Sequence, residues 1–475
     1  MTNDKNKKQI LFILLLAHLL TIVDIFIVNV AIPSVQYGLG ATHAKIQLVV
    51  TMYMIGFASF LIIGGRMGDH YGRKNIFLLG MFLFMISSAL CGFASSSEQL
   101  IIFRFFQGIS AGLMSPQVLS YIQVLFKDHK ERTYAIGWYG IAIGIGTTLG
   151  QFMGGFLVEL KPIVVDQSWR YIFLINIPIC AISIALASKY LVRSKDQFSL
   201  QMDYTSAFIL CLGLITLVSA LTIGMEQGRY LLKILLPISL VFLFWFVFRQ
   251  KRKKERAKDA LLNLTLFKHR NFNMAVIAVA LFMLMLDAYF FVLAIFLQNG
   301  LQLPPMQAGY FIVFQGAGFI LASLFSAKLV LQFGKKVLVF GIVMIISALV
   351  LQLVLFYYNQ VGITGYLVMV IHGVGVALVL PSFANIALKG LPENMIGNAS
   401  GVYSTLQQLF GALGIALTGG IFYFVLKGDN SFTHFYNAFV YATFIHLFCL
   451  IGVWIILICL PQSILPQKLM KTSVN

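Results

Sequence analysis

The stretch Gly65-Arg66-Met67-Gly68-Asp69-His70-Tyr71-Gly72-Arg73-Lys74 lies between two long apolar runs. Its three glycines allow a tight reversal that a side chain would obstruct. One acid, Asp69, sits among Arg66, Arg73 and Lys74 where the two runs meet, so the segment reads as a charged hinge at a membrane edge. A generic basic turn explains the positive charge but not glycines at 65, 68 and 72 with an acid at this spacing.

Outward from the hinge the chain is apolar almost throughout. Of 475 residues, 59% are hydrophobic and 11% charged, and the mean hydropathy is +0.89, which describes a polytopic membrane protein rather than a soluble one. The net charge of +18 comes from short basic clusters between apolar runs. Positive-inside topology accounts for these, and no nucleic-acid partner is implied. Lys5, Lys7 and Lys8 lead into a run long enough to span the bilayer, so the first segment is expected to be retained rather than cleaved. Cys91, Cys180, Cys211, Cys449 and Cys459 all lie in apolar runs without paired spacing, so neither a disulfide framework nor a metal site is implied.

A window of roughly 20 residues places spans near 10–32, 46–64, 75–94, 100–124, 133–158, 171–190, 204–223 and 231–248. Six more fall near 273–297, 307–331, 336–357, 362–388, 398–424 and 436–460. With the N-terminus inside, this fourteen-span scheme puts 27 of the 34 Lys and Arg in cytoplasmic segments and six in exterior ones. That asymmetry orients both termini towards the cytoplasm. Nine of the 27 fall between Arg249 and Arg270, where an amphipathic, lipid-facing linker helix is expected. A regulatory phospholipid site there is the alternative.

Two parts of the chain repeat one another. Asp24 to Gly72 is 48 residues and Asp287 to Gly334 is 47; Gly108 to Pro116 and Gly373 to Pro381 are both 8; Pro116 to Gly155 and Pro381 to Gly420 are both 39. An offset that drifts only from 262 to 265 reads as two copies of one six-helix unit. The expected organisation is an N-terminal half at 1–195, two inserted helices at 196–250, a basic linker at 251–272, and a C-terminal half with its tail at 273–475. By this repeat Asp24 and Asp287 are equivalents, while the counterpart of Arg104 is Met369 and that of Gln107 is His372.

The hinge resembles the loop motif between the second and third helices of the major facilitator superfamily, where an acid, glycines and a basic pair lock the cytoplasmic gate. The two extra central spans resemble the fourteen-span drug:proton antiporter-2 branch of that superfamily. So do four further stretches: Asp24-Ile-Phe-Ile-Val-Asn29-Val-Ala-Ile-Pro33, Arg104-Phe-Phe-Gln107-Gly108, Ser168-Trp169-Arg170-Tyr171-Ile-Phe173-Leu-Ile-Asn176-Ile-Pro178, and Asn398-Ala-Ser-Gly401 followed by Gln407, Gln408 and Gly411. Gly146-Thr-Thr-Leu-Gly150-Gln151-Phe-Met-Gly154-Gly155 is similar to the fifth-helix antiporter motif, except that Gln151 stands where the motif has proline. These glycines permit close helix packing, but the kink a missing amide would impose is not guaranteed. The resemblance implies an all-α fold with two six-helix halves plus two inserted helices, alternating access, export and proton antiport. It also implies a multi-pass protein of a bacterial plasma membrane.

The chemistry is expected at the few charges lying at membrane depth. Of sixteen acids, only Asp24 and Asp287 fall near the middle of an apolar span. A carboxylate there is costly to keep charged, which suits it to carry a proton. By resemblance the first helices of the two halves face one another across a central cavity, with Arg104 acting on a nearby acid. Asn29, Gln107, Tyr289, Phe290 and His372 are candidate cavity residues. His18 and His372 read as packed polar residues rather than proton relays.

No Gly-rich phosphate loop and no His-Glu-x-x-His pair occur, which argues against direct use of ATP and against a membrane metalloprotease. The expected function is proton-driven efflux of a lipophilic small molecule, with no enzyme activity and no cofactor. Its expected partners are that molecule, protons and membrane lipids. Export of an endogenous lipid or metabolite without proton exchange is the alternative. A non-transporting membrane sensor would need no titratable acids at mid-membrane.

Overall fold

A backbone crossing lipid must satisfy its polar groups internally, and in the computed structural model every long apolar run is helical. The structure describes residues 4–126, 128–191, 203–226, 229–255, 264–426, 428 and 430–460. They form α1 (Asp4–Leu39), α2 (His43–Tyr71), α3 (Arg73–Gly92), α4 (Ser97–Leu125), α5 (His129–Glu159), α6 (Tyr171–Leu174), α7 (Asn176–Tyr190), α8 (Tyr204–Glu226), α9 (Arg229–Glu255), α10 (Arg270–Ile295), α11 (Pro305–Phe333), α12 (Lys335–Tyr357), α13 (Ile363–Leu388), α14 (Glu393–Leu426) and α15 (Phe432–Cys459). Short α6 and α7 together make the sixth crossing. Pro178 lacks the N–H that would close a turn onto Leu174, and the crossing breaks at Ile175.

Thirteen of these crossings are long and apolar enough to span a membrane by composition alone. The fourteenth, α4, has the length, 29 residues, but carries Glu98, Arg104, Gln107 and Gln117. Arg104, Gln107 and Gln117 are fully buried, so α4 can hold polar groups because protein, not lipid, surrounds them.

Helix packing follows the same plan twice. α1 packs on α5 and α10 on α14; α2 on α4 and α11 on α13; α3 on α4 and α12 on α13; α3 on α7 and α12 on α15. The two sets meet through α5 with α11 and α2 with α14. α8 and α9 pair with each other, and α8 lies along α2 and α14. At one end of α8, Glu226 accepts from Thr42 Oγ1 at 2.9 Å and from the Ala44 amide at 3.3 Å, at the start of α2. At the other end Asp203 meets Lys253 at 2.9 Å, and Arg249 donates to Ser206 Oγ at 3.0 Å. Of the expected basic linker, α9 takes the part up to Glu255 and residues 256–263 lie outside the described residues, as do 461–475 of the tail.

The two ends of the bundle differ. Away from the α2–α3 hinge, Gly155 packs on the backbone of Pro305 and Met306, the Met306 amide donates to Glu159 Oε1 at 2.8 Å, and Gln298 Nε2 donates to the Val30 carbonyl at 2.8 Å. There residues 27–32 of α1 and 288–298 of α10 are all buried. Towards the hinge end, Ile136, Gly137 and Trp138 of α5 are consecutively exposed. A Cβ at Gly144 would meet Phe319 and Ile320 of α11, whereas one at Gly137, two turns earlier on the same face, meets nothing within 4 Å, so α5 stands away from α11 here. The bundle is closed at one end and parted at the other.

The candidate proton and substrate site

The hinge is simpler than its three glycines suggest. α2 continues through Gly65 and Gly68 as far as Tyr71, and only Gly72 has a positive φ, at 89°. The expected reversal is therefore made by Gly72 alone. Gly68 instead allows the side chain of Gln117 to lie against α2, where Gln117 Nε2 donates to the Gly64 carbonyl at 2.7 Å. Gly65 faces Pro116. Asp69 pairs with Arg73 at 3.1 Å, and Lys74 Nζ donates to the carbonyls of Ser188 at 2.6 Å and Leu191 at 2.7 Å, at the end of α7. The second half repeats this clasp: Gly334 has φ 61°, and Lys335 Nζ donates to Ile458 and Leu460 at 2.9 Å each. Each lysine caps the last carbonyls of the sixth crossing of its half.

At mid-membrane, Asp24 and Arg104 form an ion pair at 2.5 Å with neither side chain exposed. Asp24 Oδ1 accepts from Gln107 Nε2 and from Asn176 Nδ2, both at 2.9 Å. The same two amides donate to Ser88 Oγ at 3.0 and 2.9 Å, and the Ser88 hydroxyl in turn donates to the Phe173 carbonyl at 3.0 Å. Arg104 also donates through Nη1 to Gln107 Oε1 at 2.7 Å and through Nε to the Val49 carbonyl at 3.3 Å. Its guanidinium lies 4.3 Å from the centre of the Tyr53 ring, a cation–π contact. One negative and one positive charge are thus buried together with donors on the remaining lone pairs, the condition under which such a pair is tolerated. Ser88 and Asn176 were not singled out as site residues from the sequence, although Asn176 is the only amide in its apolar run and precedes the helix-breaking Pro178.

Asp287 is not the counterpart of Asp24. In the C-terminal half the corresponding cluster is Tyr289, Gln352, Met369, His372 and His446: Gln352 Nε2 donates to Tyr289 Oη at 2.8 Å, Tyr289 contacts the Met369 sulfur at 3.3 Å, and its ring stacks on His372 at 4.5 Å. Met369 and His372 lie 265 residues after Arg104 and Gln107, and Tyr289 lies 265 after Asp24. Independently, Gly146 of α5 faces Ile22, whereas Gly411 of α14, 265 residues on, faces Asp287. The expected equivalence therefore slips by two residues, about 200° around a helix. Asp24 turns into its own half; Asp287 turns towards Gly411 of α14 and Met54 of α2, between the halves.

The expected cavity residues do not converge. Gln107 belongs to the Asp24 cluster, Tyr289 and His372 to its C-terminal counterpart, and Phe290 meets Phe26 edge-on at 5.5 Å between α1 and α10. All four are fully buried, and Asn29 is 3% exposed, so none opens on an internal space in this conformation. Asp287 is partly exposed, and among the described residues it has no hydrogen-bond or ion-pair partner.

Of the remaining motif, Gly146 packs on Ile22, Gly150 on Val23 and Phe26, and Gly154 on Ile27, all of α1, while Gly155 packs on α11. α5 is one uninterrupted helix through Gln151. The Gln151 carbonyl lies against Gly309 of α11, so close approach of the halves is achieved without the proline. His18 stacks on Tyr139 at 3.9 Å, a packed position.

Two like-packed six-helix sets thus hold one buried acid–arginine pair, Asp24 with Arg104, between α1 and α4. The chain belongs to the Major Facilitator Superfamily, whose family model matches residues 14–415. It is 31% identical over 422 residues to a probable actinorhodin transporter of Streptomyces coelicolor, covering 87% of this chain and 72% of that one. It is 29% identical over 413 residues to a puromycin resistance protein of Streptomyces alboniger, covering 86% and 80%. A D-xylose–proton symporter shares the fold, with TM-score 0.67 at 16% identity over 96% of this chain and 98% of that one. The protein is thus a multi-pass membrane transporter for a small molecule, with bacterial relatives, and not an enzyme.

Proposed function

We propose that the protein exports lipophilic small molecules from the cytoplasm in exchange for protons, with Asp24 as the proton-binding carboxylate and Arg104 as its alternating partner. The observation that carries this reading is the buried Asp24–Arg104 pair, with Gln107, Asn176 and Ser88 around it. A proton delivered to Asp24 cancels the charge that holds Arg104. The guanidinium must then find other acceptors, and α1 and α4 are released from each other. Loss of the proton restores the pair. An ion pair of this kind is a two-state element that both the proton and the bundle's opening can bias.

The bundle comprises an N-terminal half at 1–195, an inserted pair, α8 and α9, whose last helix runs on through the basic segment to Glu255, and a C-terminal half whose first helix, α10, begins at Arg270. Both termini lie in the cytoplasm of a bacterial plasma membrane, as the Lys and Arg asymmetry supports. With that orientation the parted end faces the cytoplasm, the side from which an exporter loads. The names of the actinorhodin and puromycin relatives support drug-like substrates, and lipids surround the apolar outer faces. The hinge from Gly65 to Lys74 governs opening at the cytoplasmic end, with the Asp69–Arg73 pair and the Lys74 cap as its fasteners.

Uptake into inverted membrane vesicles tests this reading. Lipophilic cations, anions and lipids are offered with and without an imposed pH gradient. Gradient-dependent accumulation of at least one lipophilic compound is expected, and its absence across the panel contradicts export.

A further inference from the structure

Asp287 stands apart from every other acid at membrane depth. It is the only partly exposed residue between Met285 and Gln298 of α10, and beyond it residues 288–298 are buried without a break. On α1 the partly exposed positions likewise end at Phe26, with 27–32 buried. By the 265-residue register Phe26 corresponds to Phe291, so the two first helices change from accessible to closed within about one turn of each other, and Asp287 is the charged group at that change. It faces Met54 of α2 and Gly411 of α14, on the two helices that join the halves. A side chain at position 411 would collide with the Asp287 carboxylate. One turn from Gly411, Gln407 and Gln408 are partly exposed on α14. Phe290, one turn on from Asp287 along α10, meets Phe26 of α1 edge-on. No basic residue is paired with Asp287 among the described residues, in contrast to Asp24, whose charge Arg104 already balances.

We propose that Asp287 is the substrate-binding carboxylate at the closed end of the space between the halves, and that it recognises lipophilic organic monocations: compounds with one ammonium or phosphonium centre carried on apolar or aromatic groups. This rests on the export reading above and gives the substrate class of the same transporter. A carboxylate without a counter-charge is completed by a cation, and a thioether and aromatic rings nearby adapt to bulky apolar substituents of differing shape. A compact, strongly hydrated cation gains too little there to offset its lost water. An anion meets the Asp287 charge with no base to offset it. The division of labour follows from the two-residue slip: Asp24, turned into its own half, serves the proton, and Asp287, turned between the halves, serves the substrate.

Equilibrium binding to purified protein in lipid nanodiscs tests this without requiring transport, so its failure is distinct from failure of the export reading. The probes are tetraphenylphosphonium, a permanent lipophilic cation, and N-phenyl-1-naphthylamine, uncharged at neutral pH. Asp287→Asn is expected to weaken tetraphenylphosphonium binding by about tenfold or more while leaving the neutral probe nearly unchanged, and Asp287→Glu to retain most cation binding. Equal tetraphenylphosphonium affinity in wild type and Asp287→Asn, or no binding to wild type, overturns the proposal. Should the variants fail to fold, the wild-type protein decides. Modification of Asp287 by dicyclohexylcarbodiimide, located by peptide mapping, is expected to slow at least about fivefold with saturating tetraphenylphosphonium. Unchanged modification overturns it.

Discussion

Arg104 and Asp24 pair across the α1–α4 contact with neither side chain exposed. Breaking a buried pair from one side leaves an uncompensated charge, at a cost of about 3–5 kcal/mol. Arg104→Leu should therefore destabilise the protein more than Asp24→Asn, whose amide keeps size and hydrogen bonds. The double variant should be more stable than Arg104→Leu alone. Thermal unfolding of the four proteins in one detergent measures this, and strict additivity would remove the pair as an energetic unit.

Gly72 is the one hinge residue whose backbone excludes a side chain, with φ 89° and ψ 128°. Gly72→Ala should cost about 1–3 kcal/mol and slow cycling, while substrate affinity stays near wild type. Gly65→Ala, where the nearest atom to a new Cβ is 3.7 Å away, should be close to neutral. Melting temperature and single-turnover transport distinguish the two. A Gly65→Ala as damaging as Gly72→Ala contradicts the assignment of the turn to one residue.

Lys74 and Lys335 cap the last carbonyls of the sixth crossing in each half. Lys74→Ala should speed amide exchange at the end of α7 and leave α15 unchanged, and Lys335→Ala the reverse. Each loss should amount to about 0.3–1 kcal/mol. Hydrogen–deuterium exchange by mass spectrometry resolves the two ends, and crossed or absent effects argue against the caps.

Burial alone would raise the carboxyl of Asp203, but bonds from Lys253 and Ser206 outweigh it and hold the group below the ordinary carboxylate range. A folded pKa below the unfolded one contributes stability that is present above the unfolded value, near 4, and lost as pH falls through the folded value. The clasp between α8 and α9 should therefore hold at neutral pH and loosen in acid. Because Lys253 is partly exposed, its strength should be below about 1 kcal/mol. Asp203→Asn should abolish this acid dependence, measured as exchange rates in residues 204–212 between pH 3 and 7. An unchanged pH profile would contradict it.

The spans, their order and the doubling were legible because apolar runs of about 20 residues cannot be anything but crossings and the Gly and Pro landmarks recur at fixed spacing. α4 was legible from the same window, at 100–124, although its polar residues dilute its apolar signal. The face that Asp287 presents was not legible. Gly72 and Gly334 differ by 262 positions and Gly108 and Gly373 by 265, while α1 and α10 share no landmark of their own. The register of those two helices had to come from Gly146 on Ile22 and Gly411 on Asp287. Ser88 was equally silent, because a serine in an apolar helix can bond to its own backbone. Only the arrival of Gln107 and Asn176 on the same oxygen marks it.

Exchange of a substrate for protons at Asp24 is the central claim, and proton release from proteoliposomes tests it most directly. Purified wild type and Asp24→Asn are reconstituted, an exported compound is loaded on one side, and substrate movement and pH are followed together. Wild type should move protons against substrate. Asp24→Asn should still exchange labelled for unlabelled substrate yet move no protons, since the amide cannot titrate. Substrate-linked proton movement undiminished in Asp24→Asn would contradict the assignment of the proton to this residue.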